Sequence, residues 1–246
     1  MSLPISLHLG LSATLFGGLA LLAYRWLLPG AEPKEFGELA SQGPVTTSAA
    51  RSSLAKYAIV AALVVIASAG AVVEDSGASW SAIYLSGILG TSAFVAGIGF
   101  VALQGMQFVG RIFGDRLVDR FGQRAVARSG GAIVFLGMGL ALAFPTTVGT
   151  IVGFGLAGLG VSTLIPAAMQ VADEIEGFRP GTGLTIVSWL LRVGSLVSPP
   201  IVGAIADAGS LRFGLLIVPL VGALVALLAP VLPRRGSARA ESVLDD

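Results

Sequence analysis

The sequence has no cysteine, one histidine and little charge: Asp, Glu, Lys and Arg make up 12% of its 246 residues, about half the fraction usual in soluble domains. Without thiols there is no disulfide framework, no Cys-ligated metal site and no catalytic cysteine. A single His leaves too few ligands for a zinc or haem centre, so neither a metal nor a cofactor is expected. That residue, His8, reads as an interfacial side chain near the start of the chain. A Ser–His hydrolase would need a His deep in the molecule, and the metalloprotease pattern His-Glu-x-x-His does not occur. An enzyme is therefore not expected. So little charge cannot cover a soluble surface, and a chain this apolar is not disordered. No nucleic-acid partner is expected.

What the sequence does have is apolar length. Hydrophobic residues make up 54% and glycine occurs 34 times, with a mean hydropathy of +0.88. A helix crosses the hydrocarbon core of a membrane with about 20 apolar residues, and seven such runs are read at roughly 7–28, 56–74, 82–110, 126–144, 147–171, 182–206 and 211–232. The third is long for one span. Its start, Trp80 to Leu85, suits a short interfacial piece, set off from the span proper by Gly90. The first run has no basic residue before Arg25 and no Ala-x-Ala site, so it reads as a span and not as a signal peptide. The stretch from Pro29 to Ala55, with Glu32, Lys34, Glu35 and Glu38, has the composition of a linker. The polar tail after Pro233 reads as a frayed end. Glycines such as Gly153, Gly155, Gly158 and Gly160 suit close helix–helix approach in lipid.

Seven spans put successive loops on alternate sides. Of the 15 basic residues, one side receives those of 25–56, of 111–128, Arg179 and the tail. The other side receives Arg212 alone, and Arg192 lies inside a span. Basic residues stay in the cytoplasm, so the expected N-terminus is outside and the expected C-terminus cytoplasmic.

The basic loop after the third run reads Gly110-Arg111-Ile112-Phe113-Gly114-Asp115-Arg116-Leu117-Val118-Asp119-Arg120-Phe121-Gly122-Gln123-Arg124. Asp119 in a tight turn suits the free N–H groups of a helix N-terminus, or an Arg partner. Arg116, Arg120 and Arg124 recur every four residues and would form one basic stripe on a helix, suited to anionic headgroups.

Asp-Arg-x-Gly-x-Arg between two spans resembles the signature loop of the major facilitator superfamily. The family's usual pattern has Gly four residues before the Asp; here that position holds Asp115, with Gly114 beside it. Ser198-Pro199-Pro200-Ile201-Val202-Gly203 is similar to the ending of the family's eleventh helix. The resemblance implies an all-α integral membrane protein matching helices six to twelve. Residues 1–28 would be a single helix-six-like span, 29–55 a cytoplasmic linker, 56–233 the six-helix C-terminal half built of 3+3 inverted repeats, and 234–246 a cytoplasmic tail. It also implies that Gly114, Asp115, Arg116, Asp119, Arg120, Gly122 and Arg124 belong to a gating loop that docks on the other half.

Candidate site residues come from the polar positions inside spans. Thr185, Ser188, Arg192, Ser195 and Pro199 follow at intervals of three or four, forming one polar stripe on an apolar helix. An Arg at mid-span costs about 2.5–3.5 kcal/mol on insertion scales, which points to a cavity or a partner. Arg192 is thus the lead candidate for binding an anionic group, with Trp189 as a stacking wall and Ser188 and Ser195 beside it. Gln104 and Gln107 share a face with Arg111, and Gln170 follows the helix-breaking Pro166; Gln104 and Gln170 join the substrate-binding candidates. Glu74 and Asp75, read as the outer end of the second run, are adjacent carboxylates and proton-coupling candidates.

The expected function is a secondary transporter of a small molecule in the bacterial plasma membrane, present as the C-terminal half of an alternating-access carrier. Its expected partners are membrane lipid and either the missing N-terminal half or a second copy. The alternative is a non-transporting remnant or scaffold subunit. A retinal protein would need a Lys in its last span, and the only lysines are Lys34 and Lys56.

Overall fold

The computed structural model describes residue 10 and residues 13–22, 49–175, 178 and 181–233. Most of the expected linker, His8, Glu176, Arg179 and the tail after Pro233 lie outside the described residues. The described residues fall into two units divided near Ala49. In the first, residues Ala13–Leu22 form an apolar helix, α1.

The second unit is all helix among its described elements. Helix α2 (Ala49–Ile83) runs on as a π-helical turn, Tyr84–Ile88; then come α3 (Ala93–Phe121), α4 (Gln123–Ala143), α5 (Thr147–Val161), α6 (Leu164–Asp173), α7 (Thr182–Ala208), α8 (Leu211–Gly214) and α9 (Ile217–Leu228). Six stretches are long and apolar enough to cross a membrane: Lys56–Ile88, Ala93–Phe121, Gln123–Ala143, Thr147–Asp173, Thr182–Ala208 and Leu211–Val231. The molecule is an all-helical membrane bundle.

The last four spans fall close to the expected positions, whereas the first two of the six differ. The helix expected to end at Asp75 continues unbroken to Ile88. Ser76–Trp80 contains no proline and only one glycine, Gly77, so two carboxylates alone do not stop it. The piece Trp80–Leu85 is therefore the end of this helix and not a separate interfacial segment. The next span begins at Ala93 and continues through the expected loop to Phe121. Gly90 makes the first turn, with φ +67°.

The basic loop shrinks to a single turn residue. Gly122, at φ 85° and ψ 154°, occupies a backbone region open essentially to glycine alone. It reverses the chain between α3 and α4. Arg116 and Arg120 consequently lie on α3 and Arg124 on α4, so the three do not share one stripe. Arg124 instead donates from Nε to the Leu232 carbonyl at 2.9 Å and from Nη2 to that of Pro230. At the opposite end Arg212 donates to the carbonyls of Leu142, at 2.7 Å, and Ala143, at 3.1 Å. Each Arg satisfies carbonyls that a helix end leaves without a partner.

Glycine sets how closely α3, α4, α5 and α9 approach. A Cβ on Gly130 would sit 2.3 Å from the Gly160 carbonyl oxygen, and one on Gly158 would sit 2.0 Å from that of Leu103. Gly131 and Gly222 face each other in the same way across α4 and α9. The bent span Thr147–Asp173 is interrupted at Ser162–Thr163. Pro166 has no N–H for the Ser162 carbonyl four residues back, which is where the helix gives way.

Candidate functional site: a charged seam across three helices

Glu74 and Asp75 sit far from either end of their helix. Lys56–Ile88 is about 48 Å long at 1.5 Å per residue, and Glu74 lies about 27 Å from its start. A hydrocarbon core about 30 Å thick contains Glu74 wherever it is placed along that length. The outer-end position expected from the sequence is thereby corrected: both carboxylates lie within a membrane-length helix, with 13 residues of the same stretch still to follow.

Adjacent residues on a helix point about 100° apart, so the two carboxylates face different neighbours. Glu74 faces α3. Its Oε1 accepts hydrogen bonds from Gln107 Nε2 and from Arg111 Nη2 at 3.0 Å, the latter also an ion pair. Gln107 is buried. Asp75 faces α7, where its Oδ2 accepts a hydrogen bond from the Ser195 hydroxyl. One dipeptide thus ties α2 to two other spans. Arg111, expected in a cytoplasmic loop, is a mid-helix residue with a carboxylate partner.

The backbone of α7 is weakened just where Asp75 reaches it. Pro199 and Pro200 lie inside that helix, and neither offers an N–H to the carbonyls of Ser195 and Leu196 four residues earlier. Close approach is secured by Gly194, whose absent Cβ would lie 2.9 Å from Ser68 Oγ.

Arg192 lies one turn before Ser195 on the same polar face. It is exposed and, among the described residues, makes no hydrogen bond or ion pair. Trp189 is also exposed, at 68%, and Ser188 is half-buried. Thr185 caps its own helix, donating to the Gly181 carbonyl at 2.8 Å. The seam therefore holds two carboxylates and two guanidiniums within membrane-length helices, one of each tied directly together.

The other candidates separate from this cluster. Gln104 is exposed on α3. Gln170 accepts from Gln123 at 2.9 Å and donates to Glu174 at 3.4 Å, at the helix end where α3 passes into α4. Asp115 and Asp119 are exposed and make no hydrogen bond or ion pair among the described residues. Asp119 is at the C-terminal end of α3, so it does not cap a helix N-terminus. Arg116 and Arg120 border an open apolar cleft of about 440 Å³ with Phe113, Leu117 and Leu159.

The Glu74–Gln107–Arg111 network is the feature the sequence left undetected. Hydropathy averaging breaks a run at two adjacent acids. The available signal was the helix-compatible stretch after them, free of proline and asparagine.

Comparison with known proteins agrees with this architecture. The chain is 33% identical over 238 residues to the membrane protein MosC of Rhizobium meliloti, covering 94% of this chain and 54% of that protein. It is 32% identical over 167 residues to an uncharacterized transporter of Sinorhizobium fredii, covering 68% and 44%. An uncharacterized MFS-type transporter of Yersinia pestis is 28% identical over 138 residues, covering 56% and 36%. The chain thus spans about half the length, or less, of the curated relatives it matches. The sequence profile of the Major Facilitator Superfamily matches residues 57–244, and the chain belongs to that superfamily of membrane transporters.

Proposed function

We propose that the chain is the C-terminal half of a secondary carrier for a small molecule, coupled to protons through Glu74 and Asp75. The observation that carries this reading is the pair of carboxylates within a membrane-length helix, each holding a different helix. Protonation of Glu74 removes the negative end of its bond to Arg111. Protonation of Asp75 turns an acceptor for Ser195 into a group that also donates. A proton on Glu74 therefore loosens α2 relative to α3, and one on Asp75 changes the hydrogen bonding of α2 to α7, which is the kind of element an alternating-access cycle needs.

The substrate lies against α7, where Arg192 binds an anionic group, Trp189 supplies a flat wall, and Ser188 and Ser195 offer hydroxyls. Gln104 and Gln170 are placed at the margins. The opposing wall comes from an N-terminal half or a second copy, which also receives the gating residues Asp115 and Asp119. Residues 1–28 serve as a helix-six-like span and 29–55 as the cytoplasmic connection to the six-helix half. The concentration of Arg at the Gly122 end supports a cytoplasmic placement of that end and of the C-terminus, in a bacterial plasma membrane.

The test is uptake into vesicles holding the protein with its partner half, screened with a panel of organic anions, cations and sugars. An imposed pH gradient drives accumulation of one class in the wild type. Glu74→Gln and Asp75→Asn abolish the response to the gradient, and Arg192→Ala abolishes uptake. Accumulation indifferent to pH and to both carboxylate variants sinks proton coupling. Unchanged affinity in Arg192→Ala sinks the α7 site.

A further inference from the structure

The end of α3 carries a cleft that the proposed transport site does not use. It is open, about 440 Å³ in volume, and lies between α3 and Leu159 of α5. Gly110 sets how near its floor comes, since a Cβ there would lie 3.2 Å from Leu159 Cδ1. Phe113, Leu117 and Phe121 follow at intervals of four on α3 and form one apolar row. They are 49%, 42% and 53% exposed. Arg116 and Arg120 form the neighbouring row and also border the cleft. Only 28% of the most apolar window of this helix is buried, so most of its apolar surface is open to whatever surrounds the bundle.

Length, charge and the placement of the acids all point to one kind of occupant. From Gly110 to Phe121 the helix rises about 16 Å, and each leaflet of a hydrocarbon core about 30 Å thick is about 15 Å deep. The cleft thus has the length of one acyl layer. Its arginines lie toward the Gly122 end, where Arg124 and Arg128 also lie. Arginine lays its stem on apolar surface and keeps its charged head at the polar boundary. Arg120 Cζ sits 5.5 Å from the centroid of the Phe121 ring, on the last residue of α3. Arg116 makes no hydrogen bond or ion pair among the described residues. Asp115 and Asp119 each project about 160° around the helix from Leu117, so the cleft side of α3 carries positive charge alone. On the transport reading the other half of the carrier receives those two acids, which leaves the cleft side to lipid.

We propose that this cleft is a binding site for an anionic phospholipid. One acyl chain lies along Phe113, Leu117 and Phe121 over Leu159, and Arg116 and Arg120 hold the phosphate at the Gly122 end. Guanidinium N–H groups donate to phosphate oxygens, a pairing in which arginine is strong and well oriented. A zwitterionic lipid fills the same cleft but gains less from the arginines, because its own cation offsets its phosphate. The site depends neither on proton coupling nor on the transported substrate.

Native mass spectrometry of the full chain tests the site, with phosphatidylglycerol and phosphatidylcholine of identical acyl chains supplied in equal amounts. One phosphatidylglycerol is retained in preference to phosphatidylcholine. Arg116→Gln lowers that preference about fivefold, the worth of one basic residue beside anionic lipid. Leu117→Trp, which fills the cleft and keeps both arginines, lowers retention of both lipids. Arg128→Ala, at the same end but on α4, leaves retention unchanged. Equal retention of the two lipids overturns the proposal, as does undiminished retention in Leu117→Trp. A preference lost as much in Arg128→Ala as in Arg116→Gln is diffuse attraction to a basic surface and overturns it too. Displacement of the lipid by an equal concentration of glycerol phosphate, which has no chains, removes the role of the cleft. A photoreactive phenylalanine analogue in place of Phe113 reads the occupant in the bacterial membrane. Lipid adducts are expected; cross-links to a partner half or to a second copy overturn the lipid assignment.

Discussion

Two regions of the bundle are held together in opposite ways. Where α3, α4, α5 and α9 meet, glycines bring backbones into contact, and the attraction is the sum of many short contacts with no charged side chain involved. Where α2 meets α3 and α7, close packing at Gly77 and Gly194 is joined by three polar links: Glu74 with Gln107 and Arg111, and Asp75 with Ser195. Only 11% of the most apolar window of α7 is buried, against 56% in Lys56–Ile88. A backbone-to-backbone contact has no chemical switch. A carboxylate contact changes its charge and its hydrogen bonding when one proton binds. The first region is suited to stay rigid and the second to move.

Substitutions can break this contrast at either side. The largest effect is expected in the glycine region: Gly158→Leu drives a side chain into the Leu103 carbonyl and costs upwards of about 3 kcal/mol. A thermal unfolding midpoint in detergent equal to that of the wild type would contradict the α3–α5 contact. Next, Glu74→Ala leaves Arg111 within a membrane-length helix without a counter-ion and costs about 2–3 kcal/mol. The double variant Glu74→Ala, Arg111→Ala recovers part of that loss in a double-mutant cycle, and strict additivity would deny the pairing. Arg212→Ala removes two charge-assisted bonds to the end of α4 and lowers stability by about 1.5–2 kcal/mol in the same assay. Arg192→Ala is expected to change stability by no more than about 0.5 kcal/mol, since the side chain has no partner to lose. Under the proposed function uptake is nonetheless expected to be lost, and it is this separation of stability from activity that sharpens the comparison. A strongly destabilised Arg192→Ala would make Arg192 a structural residue instead.

Much of the fold was legible beforehand. The spans at 126–144, 147–171, 182–206 and 211–232 were visible because apolar length is a local property, and Pro166 announced the break at Ser162–Thr163. The polar stripe through Ser188, Arg192 and Ser195 was visible because three- and four-residue spacing maps onto one helix face. The loop around Asp119 was legible as a motif but not as a shape. Its residues turned out to be mostly helix, with Gly122 alone making the turn, because a glycine at positive φ reverses a chain without a run of loop residues. The position of Glu74 and Asp75 was misjudged for a different reason. Two charges lower a local hydropathy average, whereas a helix continues through them when neighbouring spans supply partners.

By itself, then, the sequence determined that the chain carries a series of apolar stretches long enough to cross a membrane, which of their ends collect arginine, and that Arg192 places a charge inside one of them. These follow from composition along a line: apolar length, alternation of loops, helical spacing. Only the tertiary structure decided which of the buried charges are compensated. The partners of Glu74 lie 33 and 37 residues away and that of Asp75 lies 120 residues away, and no periodicity in a sequence records such a meeting. Compensation depends on side chains from separate helices arriving within hydrogen-bond distance. Packing brings them there, and it leaves Arg192 facing outward from the bundle with no partner among the described residues.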